Sequence, residues 1–124
     1  MSDYSNYQLL TAVKNRDARL VATILQQTPS LADQPDERGF LPIVLASYAG
    51  DLPTTKALID GGADVNANLG TGTALMGVAF KGNEELVRFL LENGADKTAT
   101  NQAGQTAAAF AAMGGHHALA DLLS

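Results

Sequence analysis

Cysteine is absent from the 124 residues, which excludes a disulfide framework and any thiolate metal site and fits a reducing compartment. Basic residues are few: eight Lys and Arg, scattered, against 13 Asp and Glu, for a net charge of −5. That balance favours solubility and disfavours phosphate backbones, so no nucleic-acid partner is expected. No apolar run approaches membrane-spanning length, and no membrane association is expected. The opening Met1-Ser2-Asp3-Tyr4-Ser5 has neither the basic nor the apolar region of a secretory signal, so the expected location is cytoplasmic. The length suits a single domain, residues 1–124, able to bury a core without staples.

What is present is internal repetition. Gly-Gly-Ala-Asp-Val-Asn-Ala at Gly61 to Ala67 returns 32 residues later as Asn-Gly-Ala-Asp-Lys-Thr-Ala at Asn93 to Ala99. Gly50 recurs at Gly82 and Gly115, and Gly39 at Gly104. A period near 33 residues with glycine punctuation predicts stacked helical units, about 7–35, 36–67, 68–100 and 101–124. Each unit reads as a short helix, a turn, a second helix and a loop. In the third, Ala74 to Lys81 is the first helix and Gly82 its left-handed terminus. Asn83 caps the second helix, Glu84 and Glu85 complement its positive end, and Leu86, Val87, Leu90 and Leu91 form its apolar stripe. Leu20, Val21, Ile24, Leu25 and Leu119, Ala120, Leu122, Leu123 repeat that stripe. Helices this short need apolar faces shared between neighbours.

The helix openings Gly39-Phe40-Leu41-Pro42-Ile43, Thr73-Ala74-Leu75 and Gly104-Gln105-Thr106-Ala107-Ala108 resemble those of the ankyrin repeat. So do the endings Leu58-Ile59-Asp60-Gly61-Gly62-Ala63-Asp64-Val65-Asn66-Ala67 and Leu90-Leu91-Glu92-Asn93-Gly94-Ala95-Asp96. The resemblance covers nearly the whole chain. It implies an all-α fold, an ankyrin-repeat solenoid of about four helix-turn-helix units with short loop or hairpin fingers.

Several positions depart from the family pattern. Its usual inter-unit His gives way to Val44, Met76 and Ala109, so those hydrogen bonds are expected to be missing and apolar packing to replace them. Thr54 and Thr55 occupy stripe positions behind Pro53, which makes the second unit's outer helix the softest interior element. Thr54→Leu should stabilise by about 1 kcal/mol if that side chain turns inward, and destabilise if the site is already filled. The loop around Leu69-Gly70-Thr71-Gly72 reads as one residue short and irregular. The first unit, with Thr28-Pro29-Ser30-Leu31 in place of the glycine ending, and the last have the atypical character of capping units.

No catalytic set emerges. His116 and His117 are adjacent and diverge on a helix, and His116 follows Gly115 where the family commonly places a structural His. The pairs Asp36-Glu37 and Glu84-Glu85 read as loop charge and dipole complement rather than as an acid–base pair in a shared cleft. Gly70-Thr71-Gly72-Thr73 lacks the Lys and preceding strand of a phosphate loop, and nothing brings Ser47, a histidine and an Asp together. The expectation is a non-enzyme with no cofactor, no metal and no small-molecule substrate.

A candidate contact surface does emerge. Equivalent positions near the end of each first helix are Lys14, Tyr48, Phe80 and Met113, which the resemblance places on a concave groove. Apolar residues there read either as anchors for a partner or as side chains tucked between helices. Asp36, Glu37, Arg38, Phe40, Leu69, Gly72, Gln102 and Gln105 lie on the fingers, and Asp51 is expected to extend the surface with negative charge. The expected function is protein–protein interaction by a monomer that scaffolds, sequesters or inhibits its partner; the alternative is a self-associating assembly protein.

Overall fold

The computed structural model describes residues 4–124; Met1-Ser2-Asp3, part of the stretch read for a leader, lies outside the described residues. The helices are α1 (Asn6–Lys14), α2 (Ala18–Gln27), α3 (Pro42–Tyr48), α4 (Leu52–Asp60), α5 (Ala74–Lys81), α6 (Glu84–Glu92), α7 (Ala107–Met113) and α8 (His117–Leu123), with a 3-10 turn at Pro29–Leu31. Among the described residues there is no strand. The helices form two compact halves, Met1–Asp64 and Val65–Ser124, each built of two helical pairs.

Side-chain hydrogen bonds open all of these helices except α3 and α8. Ser5 and Gln8 form a reciprocal capping box on α1. Asp17, Asp51, Thr73, Asn83 and Thr106 each accept the amide proton three residues on, opening α2, α4, α5, α6 and α7. Between the helices of a pair the chain passes through the left-handed region, at Gly50, Gly82 and Gly115 with φ of 78°, 72° and 83°. In the first pair Arg16 takes that place at φ 57°.

In the first half α2 packs on α4 and α1 on α3, burying Leu9, Val21, Ile24, Ile43 and Leu58 completely. In the second, α5 packs on α7 and on α6, around Val78, Leu86, Val87 and Leu90. Leu20 and Leu122, expected within buried stripes, are partly exposed instead.

Val44, Met76 and Ala109 have no side-chain donor or acceptor for the family's usual inter-unit bond, but apolar packing is not left to replace it alone, because other residues hydrogen-bond between units. In the first half Arg16 Nη2 donates to the Ala49 carbonyl oxygen at 2.7 Å, and Asp33 accepts the Asp64 amide at 3.1 Å. In the second, His116 Nε2 lies 3.1 Å from the Phe80 carbonyl oxygen. Asn66 accepts the Asp96 amide at 2.7 Å while its own amide donates to the Gly94 carbonyl oxygen at 3.0 Å. Both threonines of α4 are fully buried. Thr55 Oγ1 donates to the Asp51 carbonyl oxygen at 2.8 Å; Thr54 Oγ1 has no partner among the described residues.

Candidate functional site

Two residues before each left-handed turn, the last turn of the first helix of every pair carries an exposed side chain: Lys14, Tyr48, Phe80 and Met113. Tyr48 is 45% exposed, Phe80 42% and Met113 52%. Their own halves account for the position. In the first half α1 and α3 lie side by side, carrying Lys14 and Tyr48 at matching ends. In the second, the end of α7 rests on the end of α5 so closely that a Cβ on Gly114 would collide with the Phe80 carbonyl oxygen. Phe80 and Met113 are thereby neighbours. Gln105 Nε2 approaches Met113 Sδ at 3.8 Å and ties the following finger to the same patch.

The fingers are shaped by one side chain each. Asp36 Oδ1 accepts the amides of Arg38 and Phe40, both at 2.9 Å, while the Asp36 amide donates to the Phe40 carbonyl oxygen at 2.8 Å. Arg38 closes the turn with a 3.2 Å ion pair to Asp36 and lies 5.1 Å from the Phe40 ring centroid. The Phe40 amide, and after it Arg38, hold the Asp36 carboxyl below its ordinary pKa against the opposing effect of burial. Asn101 builds the same loop, its Oδ1 accepting the amides of Ala103 and Gln105, each at 3.0 Å. The middle finger differs. Asn68 Oδ1 takes the Gly70 amide at 2.9 Å, and the left-handed positions fall at Gly70 and Gly72 instead of the one held by Gly39 and Gly104. Thr71 stands where those glycines do, which is the physical reason for the irregular path. Leu69 is left exposed at its tip. Asn68 precedes the cap Thr73 by the same interval that separates Asn101 from Thr106, so the shortening lies before Asn68 and not in the finger.

Asp51 is a correction. It is 6% exposed, and its Oδ1 accepts the Thr54 amide at 3.2 Å, so it caps α4 from within and extends no surface. Glu37 and Arg38 are exposed, and Glu84 forms a 2.8 Å pair with Arg88 one turn on. Among the described residues no group of three or more His, Asp or Glu converges as a metal site. No helix among them is long and apolar enough to cross a membrane.

Sequence reasoning missed three features. Arg16 carried no local signal, since its carbonyl partner lies in the next pair. The loop-building role of Asp36 and Asn101 was legible in principle, as Asx side chains commonly accept the backbone amide two residues on and so form turns. A cleft of about 200 Å³ between α1 and α2, lined by Tyr4, Tyr7, Thr11, Asn15 and Leu20, was also missed; Tyr7 there is 78% exposed.

Helical pairs of one design, with a left-handed turn inside each pair and fingers between pairs, define a helical-repeat protein. The family description "Ankyrin repeats (3 copies)" matches residues 9–101 and 75–124, and the chain belongs to the ankyrin repeat family. Among curated proteins it is 35% identical over 98 residues to Ankyrin repeat and SAM domain-containing protein 6 of Rattus norvegicus, covering 77% of this chain and 11% of that protein. It is 33% identical over 111 residues to Dauer abnormal formation protein 25 of Caenorhabditis elegans, 88% of this chain and 28% of that one. With Zygote-specific protein 3 of Chlamydomonas reinhardtii the identity is 33% over 119 residues, 96% of this chain and 32% of that protein. The chain thus spans a third or less of each of these relatives. Ankyrin repeats are general protein–protein interaction modules, and the family is typically non-enzymatic.

Proposed function

We propose that this chain, as one ankyrin domain, binds a partner protein through the first helices and fingers of its halves, and that it acts in the cytoplasm as a monomer that scaffolds, sequesters or inhibits the partner. The observation that carries the reading is the exposure of Tyr48, Phe80 and Met113 at one register position of α3, α5 and α7. Large apolar side chains held in solvent by short helices cost solubility and contribute little to the core, whereas side chains already fixed on helices lower the ordering entropy of binding. Lys14, Glu37, Arg38, Phe40 and Leu69 complete the candidate contact set. The test is capture of partners from native lysate by the wild-type chain and by a Tyr48→Ala, Phe80→Ala double variant. Loss of the same proteins from the variant alone is expected; an unchanged set of captured proteins would move the site elsewhere.

A second reading, self-association, draws on the exposed Tyr7 and Leu20 of the first pair and Leu122 of the last. Light scattering across a concentration series separates the two, since only self-association raises the mass with concentration.

A further inference from the structure

Asparagine precedes glycine at one place in the chain, Asn93-Gly94; the other asparagines are followed by Tyr, Arg, Ala, Leu, Glu or Gln. The pair forms the end of α6. Asn93 is the C-cap at φ −97° and ψ 16°, and Gly94 follows in the left-handed region at φ 93°. The Gly94 amide donates to the Leu91 carbonyl oxygen at 3.1 Å and the Ala95 amide to that of Leu90 at 2.9 Å, the paired bonds of a Schellman stop. Asn93 Nδ2 adds a bond to the Phe89 carbonyl oxygen at 2.9 Å, and Asn66 Nδ2 holds the Gly94 carbonyl oxygen at 3.0 Å. The stop favours glycine, and a glycine has no side chain to shield its amide from the exposed carboxamide before it. In the preceding unit the matching residues are Gly61-Gly62, with Gly61 at φ −85° and ψ 1°, so the turn itself needs no asparagine.

We propose that Asn93 is a site of self-modification, at which deamidation loosens the end of α6 as the protein ages. The Gly94 amide nitrogen attacks Asn93 Cγ. The new N–Cγ bond displaces Nδ2 as ammonia, which carries off the amide proton, and a succinimide ring remains. Water then opens the ring. Attack at Cγ gives Asp; attack at the Asn93 main-chain carbonyl carbon gives isoaspartate, whose backbone runs through Cβ and is longer by one methylene. Both products lose the bond to Phe89 and place a carboxylate beside Glu92 at the negative end of α6. Isoaspartate also moves Gly94 and Ala95 out of register with Leu91, Leu90 and Asn66. In the intact stop the Gly94 proton is held by Leu91, so the reaction waits on fraying of the last turn.

The test keeps the full chain in warm, mildly alkaline buffer, with and without urea, and follows it by peptide mass mapping and enzymatic methylation of isoaspartate. Conversion at Asn93 is expected ahead of every other asparagine, about tenfold slower in the folded chain than in urea because local opening controls it. The aged chain should show a lower Tm and weaker exchange protection of the Gly94 and Ala95 amides. Asn93→Gly, which copies Gly61, should melt close to wild type and keep both properties through the same incubation. Conversion led by another asparagine, or equal rates with and without urea, would overturn the proposal. So would an aged, converted chain whose Gly94 and Ala95 protection is unchanged.

Discussion

Thr54 and Thr55 place two hydroxyls in one buried turn of α4, and the structure gives them opposite fates. The Thr55 hydroxyl donates to the Asp51 carbonyl oxygen, whereas the Thr54 hydroxyl is buried with no partner among the described residues. A buried hydroxyl without a partner is destabilising by about 1–3 kcal/mol on the scale of protein mutations. Valine has the same shape and β-branch, so Thr54→Val removes that penalty without opening a cavity, and its methyl adds a further fraction of the ~0.8 kcal/mol of a buried carbon. The net expectation is a gain of about 1–2 kcal/mol, read as a higher denaturant midpoint at unchanged slope and a Tm raised by about 3–8 °C. Thr55→Val is the internal control. It loses one hydrogen bond worth about 1 kcal/mol and gains a similar methyl term, so it should be near neutral. The Asp51 carbonyl still accepts the Thr55 amide at 3.0 Å in that variant. Thr54→Leu, whose sign the sequence left to whether the site is already filled, should destabilise by about 1–3 kcal/mol, because the position is completely enclosed and the larger side chain overpacks it. Equal effects of the two valine variants, or a lower midpoint for Thr54→Val, would refute the reasoning.

Tyr48→Ala and Phe80→Ala should each lower stability by less than about 2 kcal/mol, since both side chains remain nearly half in solvent; a loss of 3 kcal/mol or more in denaturant melts would make them core residues. The Asp36 carboxyl titrates below the ordinary 3.8, so its ionised form stabilises the finger at neutral pH and that contribution disappears as pH falls below 3.8 through the lowered value. Amide shifts of Arg38 and Phe40 should follow that acid titration and lose it in Asp36→Asn, which keeps the acceptor that Asn101 already uses. Arg16→Ala should destabilise by about 1–2 kcal/mol, keeping the left-handed strain while losing the bond to Ala49, whereas Arg16→Gly relieves the strain and should fall within about 1 kcal/mol of wild type in the same melts. Gly114→Ala should be worse than either, by more than about 2 kcal/mol, because its Cβ would press on the Phe80 carbonyl.

The repeat period, the helical pairs and the limits of α5 were legible because they rest on local signals: Thr73 as cap, Gly82 as stop, the Leu86, Val87, Leu90 stripe. Where the sequence misled, the deciding contact lay far along the chain. Arg16 bonds a carbonyl 33 positions on, so its role has no local signature, whereas His116, read as structural from its place after Gly115, does bond a carbonyl 36 positions back. Asp51 follows Gly50 just as Asn83 follows Gly82, and its capping role follows from that register rather than from its charge. Leu20 and Leu122 obey the stripe pattern yet stay partly exposed, because periodicity states which way a side chain points and not whether a neighbour is there.

Since Asp36 folds its loop with its own carboxylate, the residue it arches over is released from that duty. Glu37 stands at the crest of a loop whose hydrogen bonds it does not supply, whereas Gln102, at the matching place after Asn101, donates its amide to the Gly70 carbonyl oxygen at 3.0 Å. Amino-acid identity at Glu37 can drift, or be randomised in a library, with no effect on how the helices are held. Recognition and architecture in this chain can therefore evolve at different rates, with the Asx residue as the boundary between them.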